Sequence, residues 1–227
     1  MAEQIILTGH TRGIGAEVCK LLAASEKYDV VGIARSRSPI MGIRQFACDL
    51  SNSIETQKLC EKLKNENPKF LIVNAGGNSI KPAESYTVQE IERIYQLNLV
   101  SPAMIIRACL PALLRNEGHI IALGSFSALE VRRWNNYYGS AKAGLHHLAK
   151  NLFEQYRKQN LRVTLIVPDI VASDFYAHQD FQPDPSPLYS IPPTEVSQLV
   201  FDLIEKKTDY IPTEIVIRPQ MFKLDRR

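Results

Sequence analysis

The sequence predicts an α/β fold, a three-layer, doubly wound parallel sheet of about seven strands with helices on both faces. Two observations lead to this prediction. Short apolar runs alternate with longer amphipathic runs along the whole chain, which is the pattern of parallel strands joined by helices. Most of the short runs are rich in Ile, Val and Leu without strict alternation, so both faces of the sheet are expected to be buried.

The predicted elements follow one another without a repeat or a linker. Strands are expected at 4–8, 29–34, 44–48, 70–74, 119–124, 162–167 and 214–217. Helices are expected at 13–25, 53–65, 87–99, 102–115, 136–159 and 194–206. Thr87 and Glu90 have the spacing of a capping box, and Pro102 suits a first helical turn. We therefore expect a single domain over residues 1–227, with a short Pro-rich substrate loop at about 173–193.

The composition excludes disordered and fibrous proteins. The 227 residues are 45% hydrophobic and 22% charged, with a formal net charge of +3, as in ordinary soluble domains. Because the basic residues are scattered, a nucleic-acid partner is not expected. The chain runs from Met1 straight into a strand pattern without a leader or a bilayer-length apolar run, so we expect a cytoplasmic protein with no membrane partner.

Metal and disulfide sites are also not expected. The four cysteines include no Cys-x-x-Cys pair and are interpreted as reduced, mostly buried thiols. His146 and His147 are adjacent on a predicted helix, so they point to different faces and have no carboxylate at ligand spacing.

A glycine-rich turn follows the first predicted strand and leads directly into a helix. Glycines at these positions allow a tight turn and a close approach of the backbone to a pyrophosphate, which the helix N-terminus then faces. The turn therefore indicates a dinucleotide site, the alternative being a plain strand-to-helix turn. The expected contacts are Gly9, Thr11, Arg12, Gly13, Ile14 and Gly15.

The end of the second strand distinguishes NAD from NADP. NAD-binding proteins normally place Asp or Glu there to accept hydrogen bonds from the ribose, whereas this chain continues Ala34-Arg35-Ser36. Arg35 can pair with a 2′-phosphate, and Arg12 offers a second guanidinium on the same side. NADP(H) is thus favoured over NAD(H), unless both arginines are ordinary surface residues.

Tyr138 and Lys142 stand four residues apart at the start of the longest predicted helix, so they share one helix face. A fixed ammonium stabilises a phenolate and lowers the tyrosine pKa, so we expect Tyr138 to exchange a proton with a substrate oxygen near neutral pH. Ser125, just past the fifth strand, is expected to hydrogen-bond the same oxygen, with Ser127 as its rival. Tyr137 lacks an ammonium four residues on and is interpreted as a packing or pocket residue.

Together these motifs resemble the short-chain dehydrogenase/reductase family, over nearly the whole chain from residue 8 to 219. The glycine turn resembles the family's cofactor turn, Asp49-Leu50 its adenine-contacting pair, and Asn74-Ala75-Gly76 its sheet-stabilising motif. Four residues match its catalytic tetrad, with the serine thirteen positions before the tyrosine: Asn98, Ser125, Tyr138 and Lys142.

The resemblance implies a Rossmann fold and a role for each residue of the tetrad. Tyr138 would be the general acid in carbonyl reduction and the base in alcohol oxidation. Lys142 would lower the tyrosine pKa and hydrogen-bond the nicotinamide ribose. Ser125 would polarise the carbonyl, and Asn98 would hold a water that links Lys142 to solvent. Further cofactor contacts implied by the resemblance are Pro168, Val171 and Ser173.

The family pattern also has consequences for assembly and for the substrate. Relatives often pair through two long helices, here 102–115 and 136–159, which implies a homodimer or a homotetramer. The substrate pocket is expected between 126–134 and 173–189, and the aromatic residues of the second segment favour an apolar or ring-bearing carbonyl compound.

Charged residues near this pocket leave alternatives open. Asp169 stands where the family usually has glycine, beside the nicotinamide. We expect this carboxylate to point outward, because a buried unpaired charge is costly; the alternative is that it faces the substrate. Arg132 and Arg133 are expected at solvent or at a subunit interface, the alternative being contact with an anionic substrate.

The sequence thus predicts an NADP(H)-dependent oxidoreductase that reduces a carbonyl or oxidises an alcohol of a small molecule by hydride transfer. The alternative is a non-catalytic NADP(H)-binding regulatory module of the same fold, and a structural scaffold would bind no cofactor.

Overall fold

The computed structural model describes residues 2–177, 179, 181–206 and 208–226. Its strands are β1 (Glu3–Thr8), β2 (Tyr28–Ala34), β3 (Arg44–Ala47), β4 (Phe70–Val73), β5 (His119–Leu123), β6 (Arg162–Pro168), β7 (Phe181–Pro183), β8 (Glu214–Ile217) and β9 (Leu224–Arg226). Its α-helices are α1 (Gly13–Ala23), α2 (Ser53–Leu63), α3 (Val88–Tyr95), α4 (Ser101–Arg115), α5 (Asn136–Tyr156) and α6 (Pro193–Glu205).

Seven of the strands form one parallel sheet in the order β3-β2-β1-β4-β5-β6-β8. Successive side chains point to opposite faces, so Ile5 and Leu7 pack with α1 and α6 on one face, and Ile6 packs with α2 and α4 on the other. All three side chains are fully buried. The predicted three-layer parallel fold is confirmed.

The strand order places a crevice between β1 and β4. The chain leaves β1 toward β2 and β3 and then returns to β4 on the other side. Ligands of open α/β sheets bind at such a reversal, beyond the carboxyl ends of the strands. The predicted glycine turn follows β1 at this crevice, and the segment that begins at Asn74 follows β4.

The two helices predicted at 87–99 and 102–115 form one continuous helical run. A π-helical segment, Gln96–Val100, joins α3 to α4 without a break. The predicted capping box is present, since Thr87 Oγ1 accepts from the Glu90 N–H at 3.2 Å and Glu90 Oε2 accepts from the Thr87 N–H at 2.8 Å. The run Val88–Arg115 has the length and apolarity of a membrane span, but half of its most apolar window is buried, as in the core helix of a soluble protein.

The predicted substrate loop contains secondary structure that the sequence does not reveal. A short 3₁₀ helix, Asp174–Tyr176, is followed by β7, which pairs antiparallel with β9 near the end of the chain. Residues 178 and 180 of the predicted loop lie outside the described residues. The segment after β8 thus supports the loop.

Candidate active site

The glycine turn leaves the N-terminus of α1 available to an anion. Gly9 and Gly13 have φ angles of +74° and +54°, which glycine adopts without strain. The N-cap residue Arg12 makes no side-chain cap hydrogen bond, and the first turn of α1 carries no acidic residue. The first turn of α1 thus adds no negative charge beside its own N–H groups, which favours pyrophosphate binding there.

Gly15 packs the helix against the turn. A Cβ at this position would lie 2.0 Å from Gly9 O and 2.4 Å from Asn74 Nδ2, so only glycine fits. Asn74 Nδ2 donates to Thr8 O at 3.0 Å and to Gly9 O at 3.1 Å, and Thr8 Oγ1 accepts from the Asn74 N–H at 2.9 Å. These bonds join the ends of β1 and β4 at the crevice.

Arginines line a cavity at the end of β2 and at the start of α1. Arg12, Arg35 and Ser36 are exposed and line the same cavity. Burial acts to raise the pKa of Asp49, but hydrogen bonds from Ser51 and the charges of Arg35 and Arg93 outweigh it and hold that pKa below its usual value. Arg35 is thus close to Asp49 at this end of the cavity.

A cavity of about 790 Å³ extends from these arginines to Tyr138. All of the residues predicted to contact the cofactor line it except Gly15. Ser125, Tyr138 and Lys142 line it as well, whereas Asn98 lies behind the wall. The features that a dinucleotide needs, a free helix N-terminus, a basic end and a long cleft, are all present. Among the described residues no group of three His, Cys, Asp or Glu side chains is arranged for a metal ion.

The phenol of Tyr138 is 6% exposed. Burial raises its pKa to about 12, and the Ser125 hydroxyl opposes this only in part. The direction is opposite to the lowered pKa expected from the Tyr138–Lys142 spacing. The Lys142 ammonium lies 5.9 Å from the centre of the tyrosine ring. Because its pKa is raised, Tyr138 is a protonated phenol at neutral pH.

Lys142 and Asn98 are bound to backbone groups. Lys142 Nζ donates to Leu123 O at 2.7 Å, and burial lowers the pKa of Lys142 to about 8. Asn98, on the π-helical segment, donates from Nδ2 to Gly77 O at 2.9 Å and to Ile94 O at 2.8 Å. Gly76 separates the two side chains, since a Cβ there would lie 3.1 Å from Asn98 Oδ1 and 3.5 Å from Lys142 Nζ.

Ser125 and its rival Ser127 have different surroundings. The Ser125 hydroxyl is close enough to Tyr138 to lower the tyrosine pKa, and it accepts from the Ser127 N–H at 3.2 Å. The Ser127 hydroxyl accepts instead from Asn135 Nδ2 at 2.9 Å. The geometry therefore favours Ser125. Tyr137 packs against Tyr86, with ring centres 4.9 Å apart.

His146 is a site residue that sequence reasoning missed. It is 4% exposed, and its Nε2 accepts from the Ser125 N–H at 3.1 Å. Burial, assisted by the positive charge of Lys142, lowers the pKa of His146 to about 4, so the ring is neutral. The available signal was its spacing, four residues beyond Lys142, which places both side chains on one face of α5.

Asp169 does not point outward as expected. Its side chain is 8% exposed and lines the cavity. Arg132 Nη2 donates to Oδ1 at 3.1 Å, and Arg218 Nε donates to Oδ2 at 3.1 Å. The outward prediction assumed that a buried carboxylate would be unpaired, and these two partners remove that cost. Arg132, expected at solvent or at a subunit interface, is half-buried in the cavity wall, and Arg133 lines the same cavity and is exposed.

Aromatic residues form the remaining wall. The rings of Tyr138, Phe175, Tyr176 and Phe181 follow one another with centres 5.7, 5.4 and 5.8 Å apart. Phe222, outside both predicted wall segments, also lines the cavity. The predicted wall residue Tyr189 does not.

Comparisons with known proteins agree with this architecture. A family model described as short chain dehydrogenase matches residues 3–183. Carbonyl reductase family member 4 of Xenopus laevis is 27% identical over 233 residues, which cover 96% of this chain and 96% of that protein. An alcohol dehydrogenase of the archaeon Thermococcus sibiricus, solved with 5-hydroxy-NADP, has a TM-score of 0.84 at 19% identity and covers 96% of this chain and 97% of its own.

A second solved structure carries the other cofactor type. A 4-hydroxyisoleucine dehydrogenase solved with NADH has a TM-score of 0.82 at 23% identity, covering 96% of this chain and 97% of its own. At these identities the structures show the fold, and the family model shows the family. The chain belongs to the short-chain dehydrogenase family and is an oxidoreductase of the kind that acts on CH–OH and carbonyl groups of small molecules.

Proposed function

We propose that this protein is an NADP(H)-dependent carbonyl reductase, or the reverse alcohol dehydrogenase, with Tyr138 as its acid or base. The observation that carries the proposal is the convergence of Ser125, Tyr138 and Lys142 on the cavity that begins at the glycine turn. NADPH, when bound, supplies the hydride that reduces the carbonyl carbon.

The chain's own residues manage the proton. The Tyr138 phenol donates its proton to the carbonyl oxygen, and the Ser125 hydroxyl donates a hydrogen bond to the same oxygen. The phenolate left behind is stabilised by the Lys142 ammonium and by Ser125. The raised pKa of Tyr138, about 12, keeps the phenol protonated near neutral pH, which is the form that donates a proton in carbonyl reduction. Asn98 is proposed to complete the proton path behind Lys142.

The preference for NADP(H) is supported by charge. Arg35 is exposed at the end of the cavity that adjoins Asp49, Arg12 is exposed and lines the same cavity, and no carboxylate follows β2 directly. A 2′-phosphate would pair with these guanidinium groups. Gly9, Gly13 and the N-terminus of α1 would hold the pyrophosphate.

Two measurements test the proposal. Equilibrium titration with NADPH and NADH should show tighter binding of NADPH, and Arg35→Asp should reverse the preference. With NADPH and a panel of aldehydes, ketones and quinones, wild type should show turnover that Tyr138→Phe abolishes. Turnover unchanged in Tyr138→Phe would refute the mechanism. Tight NADPH binding without turnover on any substrate would favour a regulatory binding module instead.

We also propose a cytoplasmic homodimer or homotetramer in which residues 1–227 form one NAD(P)-binding domain. Partly buried apolar side chains on α4 and α5, such as Leu110, Leu114 and Phe153, support pairing through these helices. Light scattering after gel filtration measures the assembly, and a monomer would contradict it.

A further inference from the structure

The guanidinium of Arg132 is held in the wall of the cavity by several contacts. Its Nη2 donates to both oxygens of Asp169, at 3.1 and 3.4 Å. The rings of Phe126 and Phe222 lie 5.6 and 5.3 Å from its central carbon. Within the described part of the chain, Nε and Nη1 make no hydrogen bond. Because Arg132 lines the cavity, these donors are available to a molecule bound there.

The surroundings of Arg132 keep a positive charge. Asp169 is shared with Arg218, whose Nη1 also lies 4.0 Å from Glu130. Arg133 stacks on Trp134 at 4.6 Å and has no acidic partner among the described residues. Of the residues that the structure describes, three guanidinium groups therefore face two carboxylates. Asp174 is another carboxylate that lines the cavity. It follows Ser173, whose Cβ lies 3.5 Å from the Cβ position of Gly13. Asp174 therefore belongs to the end of the cavity at the glycine turn.

An aromatic row connects Arg132 with the reacting phenol. Phe175 packs on Tyr138 and Tyr176 packs on Phe175, with ring centres 5.7 and 5.4 Å apart. Burial raises the pKa of Tyr176, with smaller contributions from Tyr138 and Asp169 that raise it and from Arg132 that lowers it. Tyr176 is thus close to both Arg132 and Tyr138. Aromatic rings line the space between the guanidinium and the phenol.

We propose that Arg132, oriented by Asp169, binds a carboxylate of the substrate, so that the preferred substrates are oxo acids with an apolar or aromatic spacer between carbonyl and carboxylate. The inference rests on the proposed carbonyl reduction. A fixed guanidinium suits a planar carboxylate, because it offers paired donors in the matching geometry. Stacking against the phenylalanine rings removes much of the orientational freedom that binding would otherwise cost.

Matched pairs of acid and ester substrates test the proposal. Benzoylpropionate and benzoylbutyrate are compared with their methyl esters, in which the carbonyl and the spacer are unchanged and the charge is lost. With NADPH, kcat/KM should be at least about tenfold higher for one or both acids, the factor expected for one charged hydrogen-bonded contact. If kcat/KM for each ester is within about threefold of kcat/KM for its acid, the proposal is overturned.

Two variants separate carboxylate binding from structural support. Arg132→Gln should lower kcat/KM for the acids about tenfold and leave the esters nearly unchanged. Arg218→Gln is the matched control: Arg218 shares Asp169 and lies 3.9 Å from the Phe126 ring, yet it does not line the cavity. Arg218→Gln should keep the wild-type ratio of kcat/KM for the acid to kcat/KM for the ester. A ratio that survives in Arg132→Gln, or collapses equally in Arg218→Gln, would refute the assignment.

Binding without reaction separates this inference from the proposed function. Calorimetric titration of the NADPH-loaded protein compares phenylbutyrate with phenylbutyramide, neither of which has a carbonyl that can be reduced in this way. Tighter binding of the acid by about tenfold, lost in Arg132→Gln, supports the carboxylate site even if every ketone in the panel is inert. Equal binding of acid and amide contradicts the site even if ketones are reduced. If Arg132→Gln does not fold, the wild-type comparisons decide the question.

Discussion

The imidazole Nε2 of His146 accepts a hydrogen bond from the backbone N–H of Ser125 over 3.1 Å. The ring fills the space beside Gly124, where a Cβ would lie 2.2 Å from Nε2. One buried side chain on α5 therefore supports the strand end that carries the Ser125 hydroxyl. The same helix face carries Lys142, so the positions of Ser125 and Lys142 depend on one helix.

Replacing His146 tests its role as a positioning residue. In His146→Leu the buried Ser125 N–H loses its acceptor, and we expect kcat to fall about tenfold while the Kd for NADPH changes by less than about threefold. His146→Gln, whose amide oxygen can accept, should restore part of kcat. His147→Leu alters an exposed neighbour and is the control. An equal loss in the Gln and Leu variants would show that the hydrogen bond is not what matters.

The lowered pKa of Lys142 predicts a pH dependence of cofactor binding. With a pKa of about 8, the side chain loses its positive charge as pH rises through that value. The affinity for the negatively charged NADPH should therefore decline on the alkaline side of about pH 8. Fluorescence titrations with NADPH at pH values below and above about 8 measure this affinity. Lys142→Arg stays charged and should flatten the profile, and a decline that persists unchanged in this variant would assign it to another group.

Two buried histidines predict a loss of stability in acid. Burial lowers the pKa of His119 to about 3 and that of His146 to about 4, against about 6.5 in the unfolded chain. Below about pH 6.5 the unfolded state binds more protons. The free energy of unfolding is therefore highest above that pH and falls as pH drops toward these values, by up to about 1.4 kcal/mol per pH unit for each histidine. Urea unfolding at several pH values checks this, and His119→Gln and His146→Gln should each reduce the slope.

Gly15→Ala tests the close packing behind the cofactor turn. The new Cβ would lie 2.0 Å from Gly9 O, so the turn must move, and we expect NADPH binding to weaken more than about tenfold with a lower Tm. Gly42→Ala is the control, because nothing lies within 4 Å of the Gly42 Cβ position, although Gly42 itself has a positive φ of +78°. It should cost about 1–2 kcal/mol of stability and leave NADPH binding unchanged. Similar binding losses in both variants would contradict the packing argument.

Local patterns in the sequence predicted the elements that bear the site. Apolar runs located every strand of the large sheet, and the glycine turn and the Tyr138–Lys142 spacing located two ends of one cavity. Each of these signals lies within a few residues of chain. The joining of α3 to α4 was missed because a π-helical segment has no pattern distinct from that of a short loop between two helices.

Contacts between distant segments could not be predicted in this way. The environment of Asp169 depends on Arg132 and Arg218, which lie 37 and 49 residues away in sequence. Only folding brings these partners to one carboxylate. The direction of the Tyr138 pKa shift was predicted wrongly for a similar reason. Burial of the phenol depends on all the residues of the cavity wall, whereas the sequence spacing indicates a single neighbour, Lys142.

The π-helical segment Gln96–Val100 contains one residue more than a regular turn would hold. The wider turn takes up this residue, so α3 continues into α4 without a break. Ile94 can then face Tyr86 and Tyr138 while Ile105 and Cys109 face the sheet core. Removing a single residue there would give an unbroken α-helix and would shift Asn98, which lies on this segment and donates to Gly77 O and Ile94 O. The length of this turn and the identity of Asn98 are thus constrained together.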